Sequence, residues 1–426
     1  MERIYSPELD EALYYKKHKS GLDIYSLPKA GYSKSYAIFA TKYGSTDVKF
    51  VDYQSGETVD IPDGVAHFLE HKLFEQPDGK NAFDIFSVTG ASSNAFTSFT
   101  MTAYLFSCTT DFYKNLETLV DFVQTPYFTD ENIAKEQGII GQEIRMYQDD
   151  PGWQVYFGAI ESMYNTNPVR RDIAGSVESI GTITKELLYT CYRNFYHPSN
   201  MVLVCVGDVD PEAVFETADK AINPEFKALD EIRRFTEPEP DEVFQKRTVK
   251  KLSVSMPLFY IGFKENGADA KDLLKNEIMN EILLECIFGQ SSDFYRSLYE
   301  QGLINGEFGY ETTNEPGYSH IIIGGESKDP DKVYELVLSE LQRLCKDGIP
   351  KDNFERIKRV FFGDFIRSFN NPESIAHDML ENLFKGFSLF DYISVHNSVT
   401  YDLCMERMKK IFREELSVLS IVRSDI

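Results

Sequence analysis

The sequence predicts an α+β protein of two similar domains joined by a charged linker. Three observations carry that expectation. Strand-like apolar runs alternate with amphipathic helical segments. Periodicity fails in a proline-bearing stretch near the middle. The second half then repeats the element order of the first. At 426 residues the chain is long enough for two or three cores. A hydrophobic content of 42%, with 32 Phe and 25 Tyr, excludes a disordered chain.

Residues 36–42 (YAIFATK) and 200–207 (NMVLVCVG) are β-rich runs beside turn residues. Residues 113–124 place Leu116, Leu119, Val120, Phe122 and Val123 at helical spacing. The segment 223–242 (NPEFKALDEIRRFTEPEPDE) is charged and holds three prolines, so it reads as a linker between domains at 1–222 and 243–426. Residues 109–144 and 327–365 each run from an Asp-containing turn through two helices, after the strand-like segments 102–107 and 320–325.

Lysine and arginine total 44 against 68 acids, a formal charge of −24. That excess argues against a nucleic-acid binder, because phosphate backbones attract basic surfaces. The N-terminus lacks an apolar stretch of signal-peptide length, and apolar runs such as 201–206 fall short of the ~20 residues that span a bilayer. A cytoplasmic protein is expected. The six cysteines form no CxxC pair and read as reduced thiols.

The sharpest motif is HFLEH at 67–71. On a helix, His67 and His71 share one face with Glu70 beside them. Two imidazoles on adjacent turns can hold one Zn²⁺, and a neighbouring carboxylate can take a proton from its water. Pro62, Asp63 and Gly64 suit the helix start, and Pro77 and Gly79 its stop. The competing reading is a pair of packed or exposed histidines. A third ligand is available in 129–151, where Thr129 caps a helix that Pro151 ends. Glu136 and Glu143 lie two turns apart on it, so one can bind the metal while the other supports the site. Gly138 and Gly141 between them suggest close approach of the HFLEH helix. His197, Trp153 and the KKHK run at 16–19 read as structural or solvated residues.

HFLEH followed some seventy residues later by the paired glutamates resembles the pitrilysin/insulinase family of zinc peptidases, whose inverted motif is HxxEH. GVAHFLEHKLF (64–74), SSNAFTSFTMTAYLFS (92–107), NPVRRDIAGSVESI (167–180) and FYHPSNMVLVCVGDVD (195–210) are similar to further family segments in the same order. SSDFYRSLYEQGL (291–303) is a looser match in the second half. The resemblance implies two mixed αβ-roll domains, each an antiparallel-rich sheet packed by helices, forming half of a clamshell chamber. It implies one Zn²⁺ per chain on His67, His71 and Glu143, with Glu70 as general base and Glu136 supporting the ligands. Asn94 and Ala95 would sit on an edge strand that pairs with an extended peptide.

Active relatives also use an Arg and a Tyr near a Gly-Leu. Aligned on Gly302 and Leu303, those places hold Leu298 and Asn305, with Arg296 and Tyr299 nearby. The second domain has no HxxEH, and Asp364 stands where Glu143 stands in the first. The expectation is a zinc endopeptidase of peptide maturation or processing. It would act as the metal-bearing chain of a heterodimer whose similar-length partner supplies the Arg and Tyr. A homodimer would need Tyr299 or Arg296 in their place. The rival is a non-catalytic scaffold or peptide-binding subunit.

Overall fold

The computed structural model describes residues 1–77, 79 and 81–424. Two compact units organise them. Met1–Ile144, Arg171–Thr236 and Ile366–Phe384 make the first; Arg145–Arg170, Glu237–Phe365 and the chain from Lys385 on make the second. The grouping is discontinuous along the chain: residues 145–170 belong with the second unit and 366–384 with the first.

The first unit opens with strands β1 (Glu2–Ser6), β2 (Glu11–Lys17), β3 (Asp23–Pro28) and β4 (Ser35–Thr41). A small ladder of β5 (Lys49–Val51) and β6 (Thr58–Asp60) leads into helices α1 (Val65–Leu73) and α2 (Ala82–Val88). Strands β7 (Ser92–Thr97) and β8 (Thr102–Cys108) follow, then α3 (Phe112–Val123) and α4 (Asp130–Asp149). Next along the chain come α5 (Pro151–Met163), α6 (Val177–Ile180), α7 (Lys185–Phe195), β9 (Met201–Gly207) and α8 (Pro211–Ala221). The sheet order is β1-β2-β3-β9-β4-β8-β7, antiparallel except for the β3–β9 pair. β4 and β9 are buried along their whole length, which is why 36–42 and 200–207 read as unbroken apolar runs. β7 lies at the edge, paired with β8 on one side.

Gly64 starts α1 at φ +93°, and a Cβ there would meet the Ala174 carbonyl oxygen at 2.5 Å. A side chain is excluded twice, by backbone conformation and by space. At the head of α4, the Thr129 hydroxyl accepts from the Asn132 amide at 3.1 Å, as a cap should. Pro151 does more than end α4: it opens α5 behind Asp150, whose carboxylate accepts from the Trp153 amide at 2.7 Å. One expectation is corrected here. Gly138 is exposed, and a Cβ on it would meet nothing within 4 Å. Two residues turn a helix by about 200°, so Gly138 faces away from the side of α4 that carries Glu136.

The second unit holds α5, β10 (Arg247–Lys251), β11 (Leu258–Asn266), α9 (Leu273–Phe288), α10 (Asp293–Glu300), β12 (Gly309–Glu315) and β13 (Tyr318–Glu326). Helices α11 (Pro330–Asp347), α12 (Lys351–Ser368), α13 (Pro372–Lys385), α14 (Asp391–Ser398) and α15 (Tyr401–Ile411) precede the last strand, β14 (Ser417–Arg423). Of these, α13 groups almost wholly with the first unit. The sheet order is β10-β14-β11-β13-β12, with β10–β14 its parallel pair. α5 packs on β14 and β11 through a buried side that includes Val155, Phe157, Ile160 and Met163. The echo seen in sequence is structural: α3 and α4 follow β8 as α11 and α12 follow β13.

The linker 223–242 has no helix or strand of its own, but its end is clasped in the second unit. The Glu239 carboxylate accepts from the amides of Asn165 (2.8 Å), Thr166 (2.8 Å) and Asn167 (2.7 Å) and pairs with Lys264. The KKHK run is less solvated than it reads. His18 is buried, with Nε2 2.9 Å from Asp219. His197 caps the turn before β9, its Nδ1 accepting from the Ser199 amide at 3.2 Å, and Trp153 stacks on Tyr147 with centroids 4.4 Å apart.

Candidate active site

Two helices and one strand of the first unit build the site. α1 buries Val65, Phe68 and Leu69, which turns His67, Glu70 and His71 toward its less buried side. The His67 and His71 rings lie 4.6 Å apart, near-perpendicular. α4 brings Glu143 between them. One carboxylate oxygen is 3.7 Å from His67 Nε2, and the other is 3.7 Å from His71 Nε2. One donor atom from each of the three residues lies within 4.8 Å of the others, the one such metal-ligand group among the described residues. Ligand atoms around a tetrahedral zinc are separated by about 3.3 Å, so this His-His-Glu set fits a zinc ion with small closure.

Glu136, one face of α4 and two turns before Glu143, is buried. Its Oε1 accepts from His71 Nδ1 at 3.0 Å, and its Oε2 is 3.3 Å from Lys72 Nζ. That bond puts the His71 proton on Nδ1 and leaves the lone pair of Nε2, the metal-ligating atom, on the Glu143 side. His67 Nδ1 is buried and has no hydrogen-bond partner among the described residues. Glu70 stands beside this set. Its Oε2 accepts from the Thr97 hydroxyl at 2.6 Å, which ties it to β7.

The electrostatics follow from burial and neighbours. Burial, with the His71 charge adding to it, pushes His67 down to about 4. Burial alone would lower His71, but its bond to Glu136 and the charges of Glu70, Glu136 and Glu143 outweigh it and raise its pKa. Burial lifts the Glu70 carboxyl above the usual carboxylate range, opposed by the Thr97 bond and His71. Burial would raise Glu136 too, yet its bonds to His71 and Lys72 bring it below that range.

The structure thus brings His67, Glu70, His71, Glu136 and Glu143 together. Asn94 and Ala95 lie on β7, at the sheet edge, and the Asn94 side chain accepts from the Ala95 amide at 2.9 Å. In the second unit, Leu298 is buried and Asn305 donates to Glu326 at 2.6 Å. Arg296 pairs with Asp293, and Tyr299 is exposed beside Tyr295. Asp364 lies on α12, without a histidine pair in its own segment.

The roles of three residues near the site escaped sequence reasoning. Thr97 lies in the 92–107 edge-strand segment, but its bond to Glu70 shows only once β7 is seen to run past that residue. His377 has no motif. The fold sets its Nε2 2.9 Å from the Tyr36 hydroxyl and its ring 5.6 Å from Phe96 on β7. Lys72 did leave a trace. It continues the buried stripe of Val65, Phe68 and Leu69, where a lysine demands a partner.

A His-His-Glu site on an HxxEH helix, beside a sheet edge, defines an inverted-motif zinc protease. Comparison with known proteins agrees. Residues 51–177 match the family described as Insulinase (Peptidase family M16), and residues 182–361 match the Peptidase M16 inactive domain. The zinc protease YmfH of Bacillus subtilis is 47% identical over 413 residues, which cover 96% of this chain and 95% of YmfH. The crystal structure of an M16-like peptidase from Alicyclobacillus acidocaldarius aligns with TM-score 0.94 and 36% identity, over 99% of this chain and 100% of that one. A protease from Helicobacter pylori shares the fold, with TM-score 0.84 at 20% identity over 96% of this chain and 99% of that one. The chain belongs to the M16 (insulinase) family of zinc proteases, with its metal-binding residues intact. Among the described residues no helix is long and apolar enough to cross a membrane.

Proposed function

We propose that this chain is a zinc endopeptidase that cleaves peptides or small unfolded polypeptides and binds one zinc on His67, His71 and Glu143. The observation that carries the reading is the convergence of those three donors beside Glu70 and an edge strand. Zinc bound there supplies a Lewis acid that makes a water more acidic and polarises a carbonyl. The rest is done by the chain. β7 takes the peptide as an added strand, so Asn94 and Ala95 hold its backbone rather than its side chains. Glu70, beside that strand, takes the proton from the attacking water and hands it to the leaving amine. Its place beside the three donors and the edge strand, held by the Thr97 hydroxyl, suits a group that must both accept and release that proton. Glu136 keeps the His71 ring aimed. Metal analysis should find one zinc per chain, and His67→Ala or Glu143→Gln should lose it. A full complement in both variants would refute the ligand set.

The same proposal extends to a partner. Leu298 is buried and offers no donor, while Asn305 is engaged by Glu326, so neither serves an oxyanion. A second chain of similar length, carrying an Arg and a Tyr but no HxxEH, completes the site as a heterodimer for peptide maturation or processing. Adding that chain should raise peptide turnover at least tenfold. Full turnover by the isolated chain, with no gain on addition, would remove the partner.

A further inference from the structure

Lys72 adjoins the second histidine of HFLEH, yet its ammonium is wholly buried. It reaches Glu136 Oε2 at 3.3 Å and Glu75 Oε2 at 2.7 Å. The other Glu136 oxygen accepts from His71 Nδ1 at 3.0 Å. One carboxylate is thus gripped from both ends by consecutive residues of α1. A carboxylate with a single partner can pivot about that bond; one with two is fixed in plane and direction. Charge supports the same conclusion. Glu70, Glu136 and Glu143 place three carboxylates on one small volume, and a divalent ion balances two of them. Lys72, shared with the more exposed Glu75, is the buried cation beside the third, and Lys135 also pairs with Glu75.

We propose that Lys72 is a positioning residue for the metal centre: it locks Glu136 in the orientation that aims His71 Nε2 at the zinc. This rests on the zinc reading above. Lys72 touches neither substrate nor metal and acts through Glu136.

Zinc affinity, measured by chelator competition, tests it. Lys72→Met should weaken zinc binding about tenfold, the low end of the roughly 10–100-fold loss that follows removal of a direct partner of a metal-binding histidine, because Lys72 acts one contact further out. It should lower kcat with KM unchanged, because β7 is untouched. The deciding comparison is the pair Glu136→Gln and Lys72→Met/Glu136→Gln. If Lys72 works through Glu136, the second substitution adds less than a twofold further loss to the first. This pair also serves if Lys72→Met alone does not fold, since the double variant buries no unpaired charge. Unchanged affinity in Lys72→Met would overturn the proposal, as would a tenfold further loss in the double variant. His67→Ala separates the two readings. Zinc retained in His67→Ala refutes the metal site itself, whereas zinc lost there but held normally by Lys72→Met refutes only the role of Lys72.

Discussion

Glu70→Gln is expected to cut peptide turnover by about 10²–10⁴-fold, the usual contribution of a general base. Zinc content should not change, because the three converging donors come from His67, His71 and Glu143. Glutamine keeps the size of the side chain and can still accept the 2.6 Å hydrogen bond from Thr97, so the contact with β7 survives. What it loses is the capacity to take up a proton. The loss should therefore fall on kcat, with KM nearly constant, since peptide binding is assigned to the strand. Steady-state turnover of a fluorogenic peptide, alongside metal analysis of the same sample, measures both quantities. A variant within tenfold of the native rate would move the base elsewhere. Zinc lost together with activity would make Glu70 a ligand.

The largest stability effect is expected at Glu239→Gln, about 3–5 kcal/mol, the cost of leaving one charge of a buried pair alone. Lys264 has no exposed side-chain surface and Glu239 very little. The ammonium also donates to the carbonyls of Pro240 (2.7 Å) and Glu242 (2.8 Å), so the pair fastens the end of the linker onto β11. Replacing both partners, as Glu239→Gln/Lys264→Met, should recover much of the loss, because no charge is then stranded. Urea unfolding of the three variants gives the comparison; a loss under 1 kcal/mol in the single variant would show that water reaches the pair. Burial alone would raise the Glu239 carboxyl, but Lys264 and the amides of 165–167 bring its pKa down to about 2. The folded-state value lies below the unfolded one. The stabilisation is therefore complete above the ordinary glutamate pKa and is lost as pH falls from there toward 2.

Much of this protein was legible in its sequence, and the legible parts share one property: they depend on neighbours along the chain. The strands at 36–42 and 200–207, the helix at 113–124 and the cap at Thr129 are written in local periodicity and turn chemistry, and they sit within a residue or two of those bounds. The metal centre was legible for the same reason. Residues four apart and seven apart on helices must share a face, whatever the rest of the chain does. The fold class follows from such local regularities repeated in order, whereas the family is reached through the resemblance of HFLEH and the segments around it to a known family.

Other features were decided by contacts between residues far apart in sequence. Gly138 looked like a packing device, yet it faces open space, because spacing fixes which residues share a face and not what lies opposite. Segments 145–170 and 366–384 group away from their sequence neighbours, since an apolar helix side such as that of α5 goes where complementary surface exists. His377 reaches Phe96 across some 280 residues, and Glu239 finds the amides of 165–167 from outside any motif. Lys72 stands between the two cases. Its position on a buried stripe could be read from the sequence. The carboxylate that makes its burial tolerable could not, because a buried charge is matched in three dimensions and leaves no mark on spacing.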